Sequence, residues 1–404
     1  MPNEEPDMDK FFDIEQNQLL DVATHLKKKI LEGLAQPGQE IESIPTYIPV
    51  QKGPQNGRAL VIDFGGTNVR AAVVSLNNGD LILEKGPAKM AIPIERGVPL
   101  ARDKFLQSIS DLVVSIHPPQ DLPLGYCFSY PIDSLTDGDA RLIKWTKEVF
   151  VNDTIGEKVG QLLLDALASH VSPVRCTKVA VLNDTVASLL AGLTALQADG
   201  YIGLIVGTGN NMAVLMDGKQ IKKLPQELDW DGLLPINLES GNFTPPHLTT
   251  FDDWLDQRSE FPNHSRLEKA VSGVYLAKLL KLAYPASDVD VSIGSKAVVE
   301  KAYAANPSDQ EEQDVARQIL TRSAKLVAAS LAGLISVLND AHVQRHVCIA
   351  AEGGLFWGDP NYKQTTHNTL GTLLGELGIS DVTVDFFSLP NANLLGSAVA
   401  ALSS

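Results

Sequence analysis

Hydrophobic positions first recur at helical spacing. Ile14, Leu19, Val22, Leu26, Ile30 and Leu34 fall every three to five residues, so residues 9–34 are expected to form an amphipathic helix, with the Lys27–Lys29 run on its solvated face. A Pro-, Gly- and Gln-rich stretch, 36–57, reads as a connector. The period then changes. ALVIDFGGTNVRAAVVSL, residues 59–76, is two apolar β-rich runs around a Gly-Gly-Thr-Asn turn, which predicts a hairpin. Residues 100–116 read as a helix ending before Pro118-Pro119. LPLGYCFSYP, 122–131, reads as a buried strand stopped by Pro131, and 155–170 as a helix. Residues 174–196 read as strand, polar loop and apolar helix.

At 201–216 the hairpin pattern returns in YIGLIVGTGNNMAVLM. Both turns carry Gly-Thr with Asn close behind: Gly66, Thr67 and Asn68 in one, then Gly207, Thr208, Gly209, Asn210 and Asn211 in the other. This self-similarity suggests two related halves. HVCIAAEGGLFWG, 346–358, adds a strand and a glycine-rich turn, and 314–338 reads as a long apolar core helix. Strands alternating with helices predict an α/β architecture.

The chain has 404 residues, long for one core, so two domains are expected. With 44% hydrophobic and 20% charged residues the composition is globular. The 33 basic residues against 49 acidic leave a net charge of −16, which argues against nucleic acid as a partner. Three scattered cysteines argue against a disulfide framework and for a reducing compartment. The acidic start MPNEEPDMDK has no apolar stretch of the secretory type, and four N-x-S/T tripeptides read as chance. The near-apolar run 326–338 is too short for a bilayer. A cytoplasmic protein without a membrane partner, monomeric by default, is the expectation.

Glycine-rich turns bring bare backbone N–H groups close to a ligand, and two facing each other could grip a polyphosphate. Ordinary tight turns are the plain alternative. There is no G-x-x-x-x-G-K-[ST], no H-R-D, and no third glycine after Gly207-x-Gly209, so the P-loop, protein-kinase and dinucleotide motifs fail. Asp63, just before the first turn, reads as a holder of Mg²⁺ through water or as a turn cap. Asp184, in Leu-Asn-Asp-Thr, reads as a general base or a helix cap. Trp145 reads as a packing residue or a sugar platform. His342 and His346 stand four apart, but without a third ligand they read as a helix-end pair rather than a metal site.

Taken in order, these segments resemble the hexokinase family of the actin-like ATPase superfamily. The resemblance runs from about Leu60 to the C-terminus. IDFGGTNVR (62–70) is similar to the first phosphate motif, LGYCFSYP (124–131) to the sugar segment, and IKWTK (143–147) to the W-T-K segment. LNDT (182–185) resembles the catalytic aspartate segment and GTGNN (207–211) the second phosphate motif. LESG (238–241) and LEKAVSG (267–273) resemble the glutamate segments of the sugar pocket. AEGGLFWGDP and NLLGSAVAAL resemble the adenosine-side glycine turns.

The resemblance implies two actin-like (ribonuclease H-like) domains, with mixed sheets flanked by helices around a central cleft. The small domain would be 57–188 with about 393–404; the large would be 1–56 with 189–392. It implies ATP and Mg²⁺ as cofactors and transfer of the γ-phosphoryl group to the 6-hydroxyl of a hexose, most of all glucose, as in glycolysis. Asp184 would be the base and Lys147 a second catalytic residue. Ser129, Thr146, Lys147, Asn183, Asp184, Asn211, Glu239 and Glu268 would line the sugar site. Gly65, Gly66, Thr67, Asn68, Arg70, Gly207, Thr208, Gly209, Gly353, Gly354 and Gly396 would hold the nucleotide, with Asp63 behind the metal. Arg70 as an exposed strand residue and Lys147 as a surface residue are the plain alternatives. Domain closure on the sugar is expected, because water would otherwise compete as acceptor. A sugar sensor without turnover, or a kinase of another sugar, is the alternative function. The chain departs from the family pattern at Asn210 (often Cys), Ser240 (often Trp) and Gly353-Gly354 (often Gly-Ser), positions that bear on fine specificity.

Overall fold

One strand topology occurs twice. In the computed structural model, which describes residues 11–53, 55–93, 98–146, 149–225, 227, 230–307 and 309–403, two mixed sheets carry the chain. The first is ordered Asp80–Ala91, Asn68–Asn77, Gly57–Phe64, Leu122–Phe128, Cys176–Leu182. Its first three strands are mutually antiparallel and the last two add in parallel. The second runs Leu233–Asn237, Asn210–Asp217, Gly200–Val206, His346–Glu352, Thr383–Phe387 with the same senses. The short strand Ile44–Pro45 extends its antiparallel edge. The two related halves expected from the repeated turn motif are thus visible as repeated topology.

Both predicted hairpins form. Phe64 pairs with Val69 across the first turn, and Val206 pairs with Asn210 across the second. The apolar runs flanking each turn are almost wholly buried on both faces, as strands of a sheet covered on each side must be.

Two helices cross between the sheets. Helix Asp184–Ala195 follows the last strand of the first sheet but packs on the second, and helix Ala392–Ser403 ends the chain by returning to the first. They meet at Gly396, where an added Cβ would lie 1.9 Å from the Ala187 carbonyl oxygen. Their side chains form one apolar cluster with the inner faces of both sheets. Separate cores lie under helices Arg102–Ser115 and Val159–Ser169 on one side, and under Gln16–Ala35 and Gln310–Ala341 on the other.

The N-terminal helix starts later than periodicity predicts. Residues 9 and 10 lie outside the described residues, and Glu15 is the N-cap, its N–H donating to Gln18 Oε1 at 2.9 Å. Helix Gln310–Ala341 is long and apolar enough to cross a bilayer by composition, but 78% of that apolar window is buried in the fold. His342 is its C-cap, whereas His346 opens a strand and meets Asp385 at 2.8 Å. The two histidines therefore share no helix face.

Candidate active site

The first glycine turn closes on itself and exposes Thr67. Gly65 N–H donates to the Asn68 carbonyl at 3.0 Å, and Asn68 Nδ2 to Thr67 Oγ1 at 2.7 Å. Asp63, at the strand end, is buried, and both its oxygens are engaged. Arg70 grips Oδ2 through Nε (2.9 Å) and Nη2 (2.5 Å), and Asn393 Nδ2 donates to Oδ1 at 3.1 Å. Arg70 also reaches Asn391 Oδ1 at 3.4 Å. So Arg70, expected on the phosphates, is tied to Asp63. Asn391 and Asn393 escape sequence reading because they lie more than three hundred positions away, where Asn before a helix signals only a cap.

Asp184 stands at the first turn of its helix. Oδ1 accepts the Thr185 N–H at 2.8 Å, while Oδ2 has no partner among the described residues. Asn183 is the N-cap, its Oδ1 accepting the same N–H at 2.9 Å. Both side chains thus accept at the start of the helix, and the cap position itself is Asn183, one residue before Asp184. Cys127, in register with Asp63 on the adjacent strand, is buried within electrostatic range of the Asp63 and Asp184 carboxylates. Burial pushes its thiol well above the usual range, and the charges of Asp63 and Asp184 push it further. It is a neutral spacer that sequence reading passed over.

The other lobe supplies a chain of amides and carboxylates. Asn211 Nδ2 donates to Asn237 Oδ1 at 2.9 Å, and Asn237 Nδ2 to Glu239 Oε1 at 2.7 Å. Asn211 Oδ1 accepts the N–H groups of Met212 (2.7 Å) and Ser240 (3.1 Å). Glu239 adopts φ 53°, a left-handed conformation that non-glycine residues rarely take, found preferentially at functional sites. Burial pushes its carboxyl up to about 7, and although Asn237 opposes this, the negative charges of Glu42, Asp184 and Glu268 add to it. Glu268 Oε2 accepts the Asn210 N–H at 3.2 Å. Asp184 and Glu268, each from a separate segment, thus lie within electrostatic range of Glu239.

The second turn carries Thr208 exposed and is backed by a third glycine segment. Gly207 N–H donates to the Gly209 carbonyl at 3.0 Å, and its own carbonyl accepts the Gly273 N–H at 2.7 Å. Gly353 has φ 120°, and a Cβ there would stand 2.1 Å from the Val206 carbonyl, so only glycine lets the segment lie on this turn. Beside it, Gly354 faces open space.

Ser129 N–H donates to the Phe64 carbonyl at 3.0 Å, and Ile143 N–H to the Pro131 carbonyl at 3.0 Å; Thr146 follows Trp145, whose ring meets that of Tyr130. Lys147 lies outside the described residues. Trp145 packs in a ring cluster with Phe64, Phe105, Phe128 and Tyr130, and its Nε1–H donates to Thr154 at 2.9 Å, so packing is its use. Gly396 differs from expectation: it is buried at the helix crossing and serves close approach, not the nucleotide turns. Among the described residues no three His, Cys, Asp or Glu converge as metal ligands. A metal resting mainly on phosphates and water, with Asp63 alone behind it, fits this donor set.

Family models described as Hexokinase match residues 6–194, and 201–286 with 294–403. Hexokinase-7 of Oryza sativa subsp. japonica is 28% identical over 431 residues, covering 94% of this chain and 92% of its own. Hexokinase-2 of Schizosaccharomyces pombe is 27% identical, covering 92% and 90%. A Schistosoma mansoni hexokinase complexed with glucose superposes with TM-score 0.80 at 22% identity, over 98% of this chain and 97% of its own. A ROK-family glucokinase from Streptomyces griseus, in complex with glucose and AMPPNP, has TM-score 0.51 at 20% identity, over 85% and 98%.

Proposed function

The chain belongs to the hexokinase family, and we propose that its cleft transfers the γ-phosphoryl group of ATP to the 6-hydroxyl of glucose or a closely similar hexose. The observation that carries this reading is the Asn211–Asn237–Glu239 chain, with Glu268 bonded to the Asn210 N–H of the second glycine turn and Asp184 and Glu268 within electrostatic range of Glu239. A hexose is a ring of hydroxyls, each donor and acceptor, and carboxylates and amides pair with these from several directions. Buried groups left unpaired would penalise a sugar with a displaced hydroxyl.

Asp184, whose Oδ2 has no partner among the described residues, takes the proton from the 6-hydroxyl as the hydroxyl oxygen attacks phosphorus. Glu239, Glu268, Asn211 and Asn183 orient the ring, with Ser129 and Thr146 from the first lobe; Lys147 is assigned to the same site from the resemblance. The backbone N–H groups around Gly65–Asn68 and Gly207–Gly209 cradle phosphates, with Gly353 and Gly354 on the nucleoside side. Phosphoryl transfer asks mainly for positioning and charge stabilisation, which suits such turns. When bound, Mg²⁺ supplies positive charge to the phosphate oxygens, and Asp63, steadied by Arg70 and Asn393, is the group that would hold its water shell. A cytoplasmic monomer acting on small molecules alone is part of this reading, supported by acidity and scattered thiols, and sedimentation with fractionation tests it.

The test is a coupled assay of glucose 6-phosphate formation from glucose and MgATP, wild type beside Asp184→Ala. The expected result is robust turnover that falls about 10²–10⁴-fold in the variant while glucose-dependent thermal stabilisation persists. Stabilisation by glucose without turnover in the wild type would mean a sensor instead. Neither would withdraw the sugar.

A further inference from the structure

Glu268 sits between two anchored neighbours. Leu267 is fully buried and donates its N–H to the Phe243 carbonyl at 2.7 Å. Lys269 points inward and is 4% exposed, an unusual place for lysine unless paired. Its ammonium donates to Asp256 Oδ1 at 2.6 Å and to the Phe261 carbonyl at 2.7 Å. Asp256, with no exposed surface, accepts the Asn263 N–H on Oδ2 at 2.8 Å and lies 3.7 Å from Arg266 Nη1. Burial pushes its carboxyl up, but Lys269, the Asn263 amide and Arg266 outweigh that and hold it below the usual range.

One buried carboxylate thus gathers the whole return from helix Thr250–Gln257 to helix Arg266–Val271. The helix that carries Asp256 is itself fixed, because Asp252 and Arg322 make a buried bidentate pair at 2.6 and 2.9 Å. The return reaches the other lobe as well: the Phe261 ring is exposed, and Lys144 Nζ, two residues from Thr146, stands 5.8 Å from its centroid. Neither Asp256 nor Lys269 touches the carboxylate site, yet the residue between Leu267 and Lys269 is the one whose carboxylate does.

We propose that Asp256, acting through Lys269, is a positioning residue for the hexose: the buried pair sets the depth and direction of Glu268 in the sugar site. This rests on the reading that Glu268 binds the sugar. A shift of about 1 Å in a positioned group is enough to change kinetics strongly, so loss of the pair is felt at the sugar before it is felt at the nucleotide.

The test compares Asp256→Asn, Lys269→Met and Glu268→Gln in the full-length enzyme, well below each melting temperature. Asp256→Asn keeps the shape and the acceptor for Asn263 while removing the partner charge of Lys269. The expected result is a hexose KM raised about tenfold or more in all three, with kcat and ATP KM within about threefold for Asp256→Asn and Lys269→Met. The double variant Asp256→Asn/Glu268→Gln should bind hexose no worse than Glu268→Gln alone, because both act at one point. Should Asp256→Asn not fold, Lys269→Arg, which keeps the charge and alters the geometry, carries the same expectation. A lowered melting temperature with unchanged hexose KM would overturn the proposal and leave a stabilising pair. An unchanged hexose KM in Glu268→Gln would overturn the sugar-site reading itself, a distinguishable failure.

Discussion

Asn393 donates to Asp63 Oδ1 at 3.1 Å across a sequence separation of 330 residues. The chain's last helix therefore steadies a carboxylate at its first glycine turn. With Arg70 on the other oxygen, Asp63 is held in one orientation at the end of its strand. Removing such a supporting partner typically weakens the supported group's function without abolishing it. Asn393→Ala is expected to lower kcat/KM for MgATP about 10–100-fold and leave hexose KM unchanged, measured by varying each substrate at saturating levels of the other.

Glu239 links pH to stability. Its carboxyl is pushed up to about 7 from 4.5. Through that window the folded chain holds a proton that the unfolded chain has released, so stability falls as pH rises from about 4.5 to about 7 and stays lower above it. Glu239→Gln cannot titrate. Melting temperatures without ligand, taken at about pH 5 and pH 8, should show the wild type losing more on the alkaline side than the variant. Equal losses would remove Glu239 as the cause.

Two glycines should fail in different ways. At Gly396 an added Cβ meets helix backbone at 1.9 Å, which cannot yield. Gly396→Ala should cost at least about 1–3 kcal/mol in a denaturant melt, with near-normal KM values in the folded fraction. At Gly209 the added Cβ meets Glu268 Oε2 at 2.8 Å, the end of a side chain that can move. Gly209→Ala should raise hexose KM with little loss of stability. Identical signatures for both would contradict the placement of one of them.

The two sheets are joined by two crossing helices, one being Asp184–Ala195, and on the proposed reading Asp184 holds the sugar at the start of that helix. Saturating glucose should compact the protein, and a radius of gyration from small-angle scattering that does not change would speak against closure.

Much of the fold was legible in order along the chain. The runs flanking Gly65–Thr67 and Gly207–Gly209 announce hairpins because a half-buried or buried strand must be apolar where it packs. Asp184 and Thr185, between an apolar strand and an apolar helix, announce a cap or a base by residue type. Trp145 and Gly396 show the limit. An indole fits a sugar or a core equally well, and a glycine fits a ligand or a helix crossing equally well; their neighbours decide, and those neighbours are remote in sequence.

Local elements, the repeated turn chemistry and the types of side chain offered to a ligand follow from short-range periodicity and backbone sterics, and so can be read along the chain. Pairing cannot: Arg70 with Asp63, Asn237 with Glu239 and Lys269 with Asp256 are matched only in the folded chain. A charge or amide takes whichever partner burial leaves within about 3 Å of it, and which atoms are left there is settled by the packing of helices and sheets far apart in the chain.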